Sequence, residues 1–370
     1  MLHVTAVTAA LAAAAARIVR LLPDRRFGGG PGAVVLRAAG DHVELSAGDG
    51  ELSVRLRVPA LVHEPGSAVV ARRAVADTLG ALDAPEVVLA VEGSRLALRA
   101  PGARFALPRL DAGANPVPDL PPPSGTVDGA ALRAAVLPVA GAASREHALP
   151  IFTGVRIRSR GDHLSLLATD RFRLAVAEVP WEPAAGAIDV LVPAAALAEL
   201  ARQAAASPRV GLHAAGDRLG VVTDDGSVLL AALGGAYPDD QLDRLLAPVV
   251  EAVVEVEADA LVAAVSRAAP YGGPHSRVEL RTGDGGLAVH GSDPLAGESE
   301  EQVKASVRGD RVARVFKARL LLDAVRPFAG RTARLTVQGG LRAAVVTGDP
   351  GPDGVDLRYL VVPMRLADPS

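Results

Sequence analysis

Along most of this chain, apolar and polar positions alternate in short runs of strand length. Six longer stretches interrupt them, with apolar residues recurring at helical spacing. The spacing predicts helices in pairs: about residues 5–22 with 72–82, 128–143 with 194–205, and 258–269 with 318–328. Asp128 precedes an Ala-rich run as a helix cap would, and Pro193 suits a first helical turn. Strands bounded by turns outnumber the helices, so the fold class is α+β with largely antiparallel sheet.

The pattern repeats three times. A strand, a Gly-Asp turn and a second strand occur around Gly40-Asp41, Gly161-Asp162 and Gly283-Asp284, with the aspartates 121 and 122 residues apart. A later turn begins at Gly93, Gly216 and Gly339, each 123 residues from the next. Two independent markers with one period, near a third of 370 residues, imply three similar units. Units of that length exceed solenoid repeats, so each can bury its own core. Pro-rich joints at residues 116–123 and 238–248 place the domains at 1–123, 124–248 and 249–370.

Composition narrows the function. The absence of cysteine removes disulfides and thiolate metal sites and fits a reducing compartment. With 39 basic against 42 acidic residues, the net charge of −3 excludes a bulk basic nucleic-acid binder, so any DNA contact must be local. Aromatics at 3% disfavour single-strand binding by base stacking. The uncharged stretch 2–16 is too short to span a membrane and lacks a preceding basic segment, so it reads as the start of an amphipathic helix.

No catalytic constellation emerges. The eight histidines are scattered, with no two at the spacing of a helical metal pair. Lys304 and Lys317 are the only lysines and neither sits in a phosphate-binding loop, while the run Gly28–Gly32 reads as a turn. No Gly-x-Ser-x-Gly elbow is present. Asp224-Asp225 and Asp239-Asp240 sit beside Gly or Pro and read as turns.

Specific motifs then add a resemblance. They are Leu149-Pro150-Ile151-Phe152-Thr153-Gly154-Val155, Ala168-Thr169-Asp170-Arg171-Phe172-Arg173-Leu174-Ala175, and the C-terminal Tyr359-Leu360-Val361-Val362-Pro363-Met364-Arg365-Leu366. Weaker matches are Phe105-Ala106-Leu107-Pro108, Tyr237-Pro238-Asp239 and Leu320-Leu321-Leu322-Asp323-Ala324. On these the chain resembles the bacterial sliding clamps, the beta subunits of the DNA polymerase III holoenzyme, across all three units.

The resemblance implies three tandem copies of a clamp-type domain, each with two helices packed on antiparallel sheets. A homodimer of such chains forms a ring around duplex DNA, without catalysis and without a cofactor or metal. It implies as partners duplex DNA held by topology rather than sequence, the DNA polymerase III alpha subunit, the clamp loader and other proteins with clamp-binding motifs. It also implies a cytoplasmic, nucleoid-associated location and no membrane contact. A partner-peptide cleft would comprise Phe152, Thr169, Arg171, Phe172, Arg173, Leu174, Pro238, Leu360, Val362, Pro363, Met364 and Arg365. Met364 suits a groove that accepts many sequences, and Arg173 and Arg365 would bond peptide carbonyls or carboxylates.

Candidate DNA-facing residues are Arg17, Arg20, Arg25, Arg26, Arg72, Arg73, Arg133, Arg145, Arg202 and Arg267. A few arginines on a slightly acidic protein attract DNA weakly, which sliding requires. For the dimer edge, Arg104 and Phe105 of one subunit would meet the acidic run Glu298, Glu300 and Glu301 of its partner, which resolves two open sheet edges. Three features depart from the family pattern: the Arg25–Gly32 segment, a long stretch from Tyr237 to Pro248, and Ala-richness of a high-GC, actinobacterial kind. The stretch leaves one cleft position open among Leu242, Leu245 and Leu246. They set the alternative reading, a diverged second clamp that serves restricted partners or confers tolerance to a cleft-binding inhibitor, and so antibiotic resistance.

Overall fold

The chain opens on an alternating pattern, buried at Val4 and Ala6 and half-exposed between them, and it forms strand His3–Val7. The computed structural model describes residues 2–23, 32–110, 117–146, 148–235, 237–238, 250–283 and 286–365. The opening strand corrects the expectation of a helix from residue 5. Helix α1 starts at Thr8 and runs Thr8–Leu21, because Val4, Thr5 and Val7 are β-branched and one side of the segment faces the core. The remaining helices fall at the expected places: α2 Arg72–Gly80, α3 Gly129–Ala142, α4 Ala194–Ala204, α5 Ala258–Ala268 and α6 Ala318–Val325. A single 3₁₀ turn, Arg326–Phe328, ends the last of these.

The repeat is visible in burial as well as in sequence. Helix α1 buries Thr8, Leu11, Ala14, Ala15 and Ile18; α5 buries Ala258, Leu261, Ala264, Val265 and Ala268, position for position. This is the stripe of an amphipathic helix, with alanines that let it lie close to its neighbour. Helix α1 packs on α2, and α5 on α6. Full burial of side chains such as Leu11, Ile18 and Leu261 contributes about 2 kcal/mol each.

The first two Gly-Asp markers are two-residue hairpin turns; Asp284 of the third lies outside the described residues. Ala39 pairs with His42 and Arg160 with His163, with Gly40 and Gly161 at φ 61° and 62°, a conformation open to glycine at little cost. The later marker is equally tight at Gly93 and Gly216. In the third copy the turn widens, with strands ending at Gln338 and resuming at Ala344.

The described chain divides into two compact units, residues 1–129, 182–192 and 199–232 in one, and 130–181, 193–198 and 233–370 in the other. The first holds a 13-stranded sheet, in which Gly226–Ala231 of the second repeat pairs antiparallel with Leu52–Glu64 of the first, Leu229 opposite Ser53. In the second unit, Arg173–Pro180 pairs with Asp356–Val361 of the third repeat, Leu174 opposite Leu360. A separate four-stranded sheet carries Gly297–Val303 at one edge. The middle repeat thus gives one sheet to each neighbour, and compactness does not follow the Pro-rich joints. Among the described residues, no helix is long and apolar enough to cross a membrane.

Candidate functional site

In the second unit, the turn between strands His163–Thr169 and Arg173–Pro180 is built by three residues of the Thr-Asp-x-x-Arg motif. The Thr169 hydroxyl donates to the carbonyl of Arg173 at 2.6 Å and accepts the N–H of Arg171 at 3.1 Å. Asp170 Oδ1 accepts the N–H groups of Phe172 and Arg173, both at 3.0 Å. This frame holds Arg171 at φ 77°, a left-handed conformation costly for a residue with a Cβ. Arg171 and Phe172 are displayed, and the Phe172 ring lies 59% exposed.

Arg173 has a different role from the one expected. Its side chain is 2% exposed and committed internally: Nε donates to Asp170 Oδ2 at 2.9 Å, and Nη1 to Asp323 Oδ2 at 2.6 Å and to the Tyr359 hydroxyl at 3.4 Å. Burial opposes its charge, but Tyr359, Asp170 and Asp323 outweigh that cost and raise its pKa; burial in turn pushes the Tyr359 phenol up. Arg173 therefore clasps the turn to α6 and to the last strand, and its guanidinium is not offered to a ligand.

The C-terminal segment is stitched on both sides. Val362 N–H bonds the carbonyl of Phe172 at 2.9 Å and Met364 N–H that of Val315 at 2.7 Å, while Pro363, which has no N–H to place, sits between them. Together these pieces border a cleft of about 630 Å3. It is lined by Arg171, Phe172 and Arg173 from the turn, Val362, Pro363, Met364 and Arg365 from the C-terminal segment, and three groups the sequence reading missed. Those are the Ala143–Glu146 corner after α3, Lys317 with Arg319 and Leu320 at the start of α6, and Asp170. Apolar Phe172, Leu320, Val362 and Met364 amid a surplus of cationic side chains suit a short apolar peptide with acidic character.

Other expected cleft residues stand back from this lining. Thr169, Leu174 and Leu360 are buried in the wall. Phe152 packs edge-on against Tyr237, ring centroids 6.5 Å apart, and its carbonyl accepts the N–H of the lining residue Ser144 at 2.7 Å. Pro238 is half-buried beside Tyr237. Leu242, Leu245 and Leu246 lie outside the described residues, as do Arg25 and Arg26.

Two of the arginines expected to face DNA are otherwise engaged. Arg72 is buried, 7% exposed, with its guanidinium against Gly32. Arg17 bonds Gln203 and Asp225; burial alone would raise the Asp225 pKa, but the Thr223 hydroxyl and Arg17 hold it below the usual carboxylate range. Arg20 and Arg202 are exposed and share Glu199, and Arg73 is exposed near Asp77. Arg267 reaches Glu301 through Nε at 2.9 Å and Nη2 at 2.5 Å, so a DNA-facing and a dimer-edge candidate meet in one ion pair. Arg145 lines the cleft and Arg133 a neighbouring groove. At the candidate dimer edges, Glu92 takes Arg104 and Arg99, Glu298 takes His290, and Glu300 lies 4.0 Å from Arg281. Strand Ala103–Pro108, carrying Arg104 and Phe105, ends the first sheet as Gly297–Val303 ends the small one.

Residues 2–120, 126–239 and 244–365 match, in order, the N-terminal, central and C-terminal domains of the DNA polymerase III beta subunit. The chain belongs to this family. It is 31% identical to the beta sliding clamp of Streptomyces coelicolor over 96% of this chain and 97% of that one. It is 29% identical to the beta sliding clamp homolog GriR of Streptomyces muensis, over 90% and 91%. In fold it is similar to the Bacillus subtilis sliding clamp, TM-score 0.90 at 20% identity, covering 99% of this chain and 100% of that one. A Pseudomonas aeruginosa clamp bound to griselimycin superposes with TM-score 0.89 at 23% identity, with the same coverage. The fold is therefore three tandem clamp domains, and the protein is a sliding clamp, a processivity factor rather than an enzyme.

Proposed function

We propose that two copies of this chain close head to tail into a ring around duplex DNA and that the cleft bordered by Phe172 and Met364 tethers the replicative polymerase alpha subunit, the clamp loader and other partners by short peptides. The observation that carries the cleft assignment is the convergence of the Thr169–Arg173 turn and the Val362–Arg365 segment on one cavity, with the variable positions of the motif displayed and its fixed positions used as frame. Ring closure rests on the two sheet edges, Ala103–Pro108 with Arg104 and Gly297–Val303 with Glu298, Glu300 and Glu301, which are opposite in charge. DNA would meet Arg20, Arg73, Arg202 and Arg267, together with Arg25 and Arg26. Several of these are already neutralised by a carboxylate, which keeps attraction weak and sequence-blind. The location that follows is the cytoplasm, at the nucleoid.

The likeness to the beta sliding clamp homolog GriR favours one second reading, a diverged clamp copy that tolerates a cleft-directed inhibitor. Titration of a fluorescent peptide carrying the clamp-binding motif of the same organism's polymerase alpha subunit tests the cleft. Saturable binding that griselimycin displaces supports the first reading. Saturable binding that griselimycin leaves intact supports the second, and absence of binding removes both.

A further inference from the structure

Behind the cleft lies a groove of about 750 Å3, bordered by α3, the turn after α6 and the strand Asp356–Val361. Arg145 lines both cavities, so the groove continues the cleft. Four guanidinium groups, of Arg133, Arg145, Arg326 and Arg331, surround it against two carboxylates. Both carboxylates are engaged: Asp323 by Arg173 and Asp353 by the N–H of Val355. Arg331 bonds the carbonyls of Asp349 and Pro327. The guanidinium groups of Arg133 and Arg145 have no partner among the described residues, and Arg326 has only a long contact, 3.9 Å, to Asp323. The lining between these charges is apolar, with Leu137, Pro138, Pro327, Val355 and Leu357.

We infer that this groove receives an acidic segment flanking the peptide core held in the cleft. The inference rests on the cleft reading given above and adds a second compartment that selects partners by charge. Two observations favour a peptide over duplex DNA. Duplex DNA carries a charge about every 1.7 Å of its axis and offers little apolar surface to bury along its backbones, whereas this lining combines cations with apolar side chains. Continuity through Arg145 also places the groove within a few residues' reach of any chain seated against Phe172 and Met364.

The test uses the polymerase peptide in two forms, continued at either end by Asp-Glu-Asp-Glu or by Ser-Gly-Ser-Gly, each titrated at low salt into the full chain. Two new solvent-exposed ion pairs predict about fivefold tighter binding of the acidic form. In the double variant Arg133→Gln with Arg326→Gln, that gain should vanish while the neutral form binds as before. An acidic form no tighter than the neutral one overturns the inference. So does a gain that survives the double variant, or a variant that instead weakens a labelled 20-base-pair duplex and leaves the acidic gain intact. If the neutral form does not bind at all, the cleft reading falls and takes this inference with it.

Discussion

Replacing Arg173 with alanine should both destabilise the protein and abolish peptide binding. The substitution leaves Asp170 and Asp323 without their shared cation and the Tyr359 hydroxyl without a donor, in a site where the Arg173 side chain is 2% exposed. Breaking a buried pair from one side costs about 3 kcal/mol or more, which for a chain of this size lowers the melting temperature by roughly 4 °C or more. The turn that displays Phe172 loses its anchor to α6 and to the last strand, so the cleft loses shape as well as a wall. Arg173→Lys should fall between, because one ammonium cannot serve two carboxylates and a phenol in the fork geometry of a guanidinium. Calorimetry with the peptide titration checks this. A variant that melts like the parent and binds like it would show that the clasp is dispensable.

Alanine at Phe172 or Met364 should behave in the opposite way, with binding lost and stability kept. Phe172 is 59% exposed and contributes little to the core, while its backbone, bonded to Asp170 and Val362, is untouched by the change. As an exposed aromatic lining the cleft it has the character of a binding hot spot, where truncation costs about 2 kcal/mol, or roughly thirtyfold in affinity. Met364, half-buried and pinned through its N–H to Val315, fills the facing wall with a side chain that adapts to different peptides. Fluorescence anisotropy should show the weakened binding alongside an unchanged melting curve. Affinity unchanged in both variants would move the peptide site elsewhere.

These two predictions show what the sequence carried and what it did not. The six α-helices of the described residues were legible from apolar spacing, because each buries one stripe, as the matched pattern of α1 and α5 shows. The hairpins at Gly40, Gly93, Gly161 and Gly216 were legible from a glycine in a two-residue turn. The opening strand was missed because residues 2–16 are uniformly uncharged and Ala-rich, so a five-residue alternation at His3–Val7 is hidden beside a helix. The pairing of strands from neighbouring repeats had no local signal, since Leu174 meets Leu360 through ladder register alone.

At the proposed cleft, motif matching names residues but does not separate frame from display. Thr169, Asp170 and Arg173 satisfy one another, whereas Arg171 and Phe172, the positions a motif leaves open, are exposed at the cavity. Arg145, Lys317, Arg319 and Leu320 come to the cleft from separate elements, so no spacing in the sequence marks them. A polar count could not reveal that Arg17 and Arg72 are engaged internally; only their neighbours Asp225, Gln203 and Gly32 do.

The most direct test of the whole account is retention on DNA of defined topology. The protein is loaded by its clamp loader onto a nicked circular plasmid, separated from free protein, and the plasmid is then cut once with a restriction enzyme. A closed ring that holds DNA by encirclement should stay on the circle in high salt and slide off within minutes of linearisation. Retention that ignores linearisation, or that disappears with salt alone while the circle is intact, would contradict it.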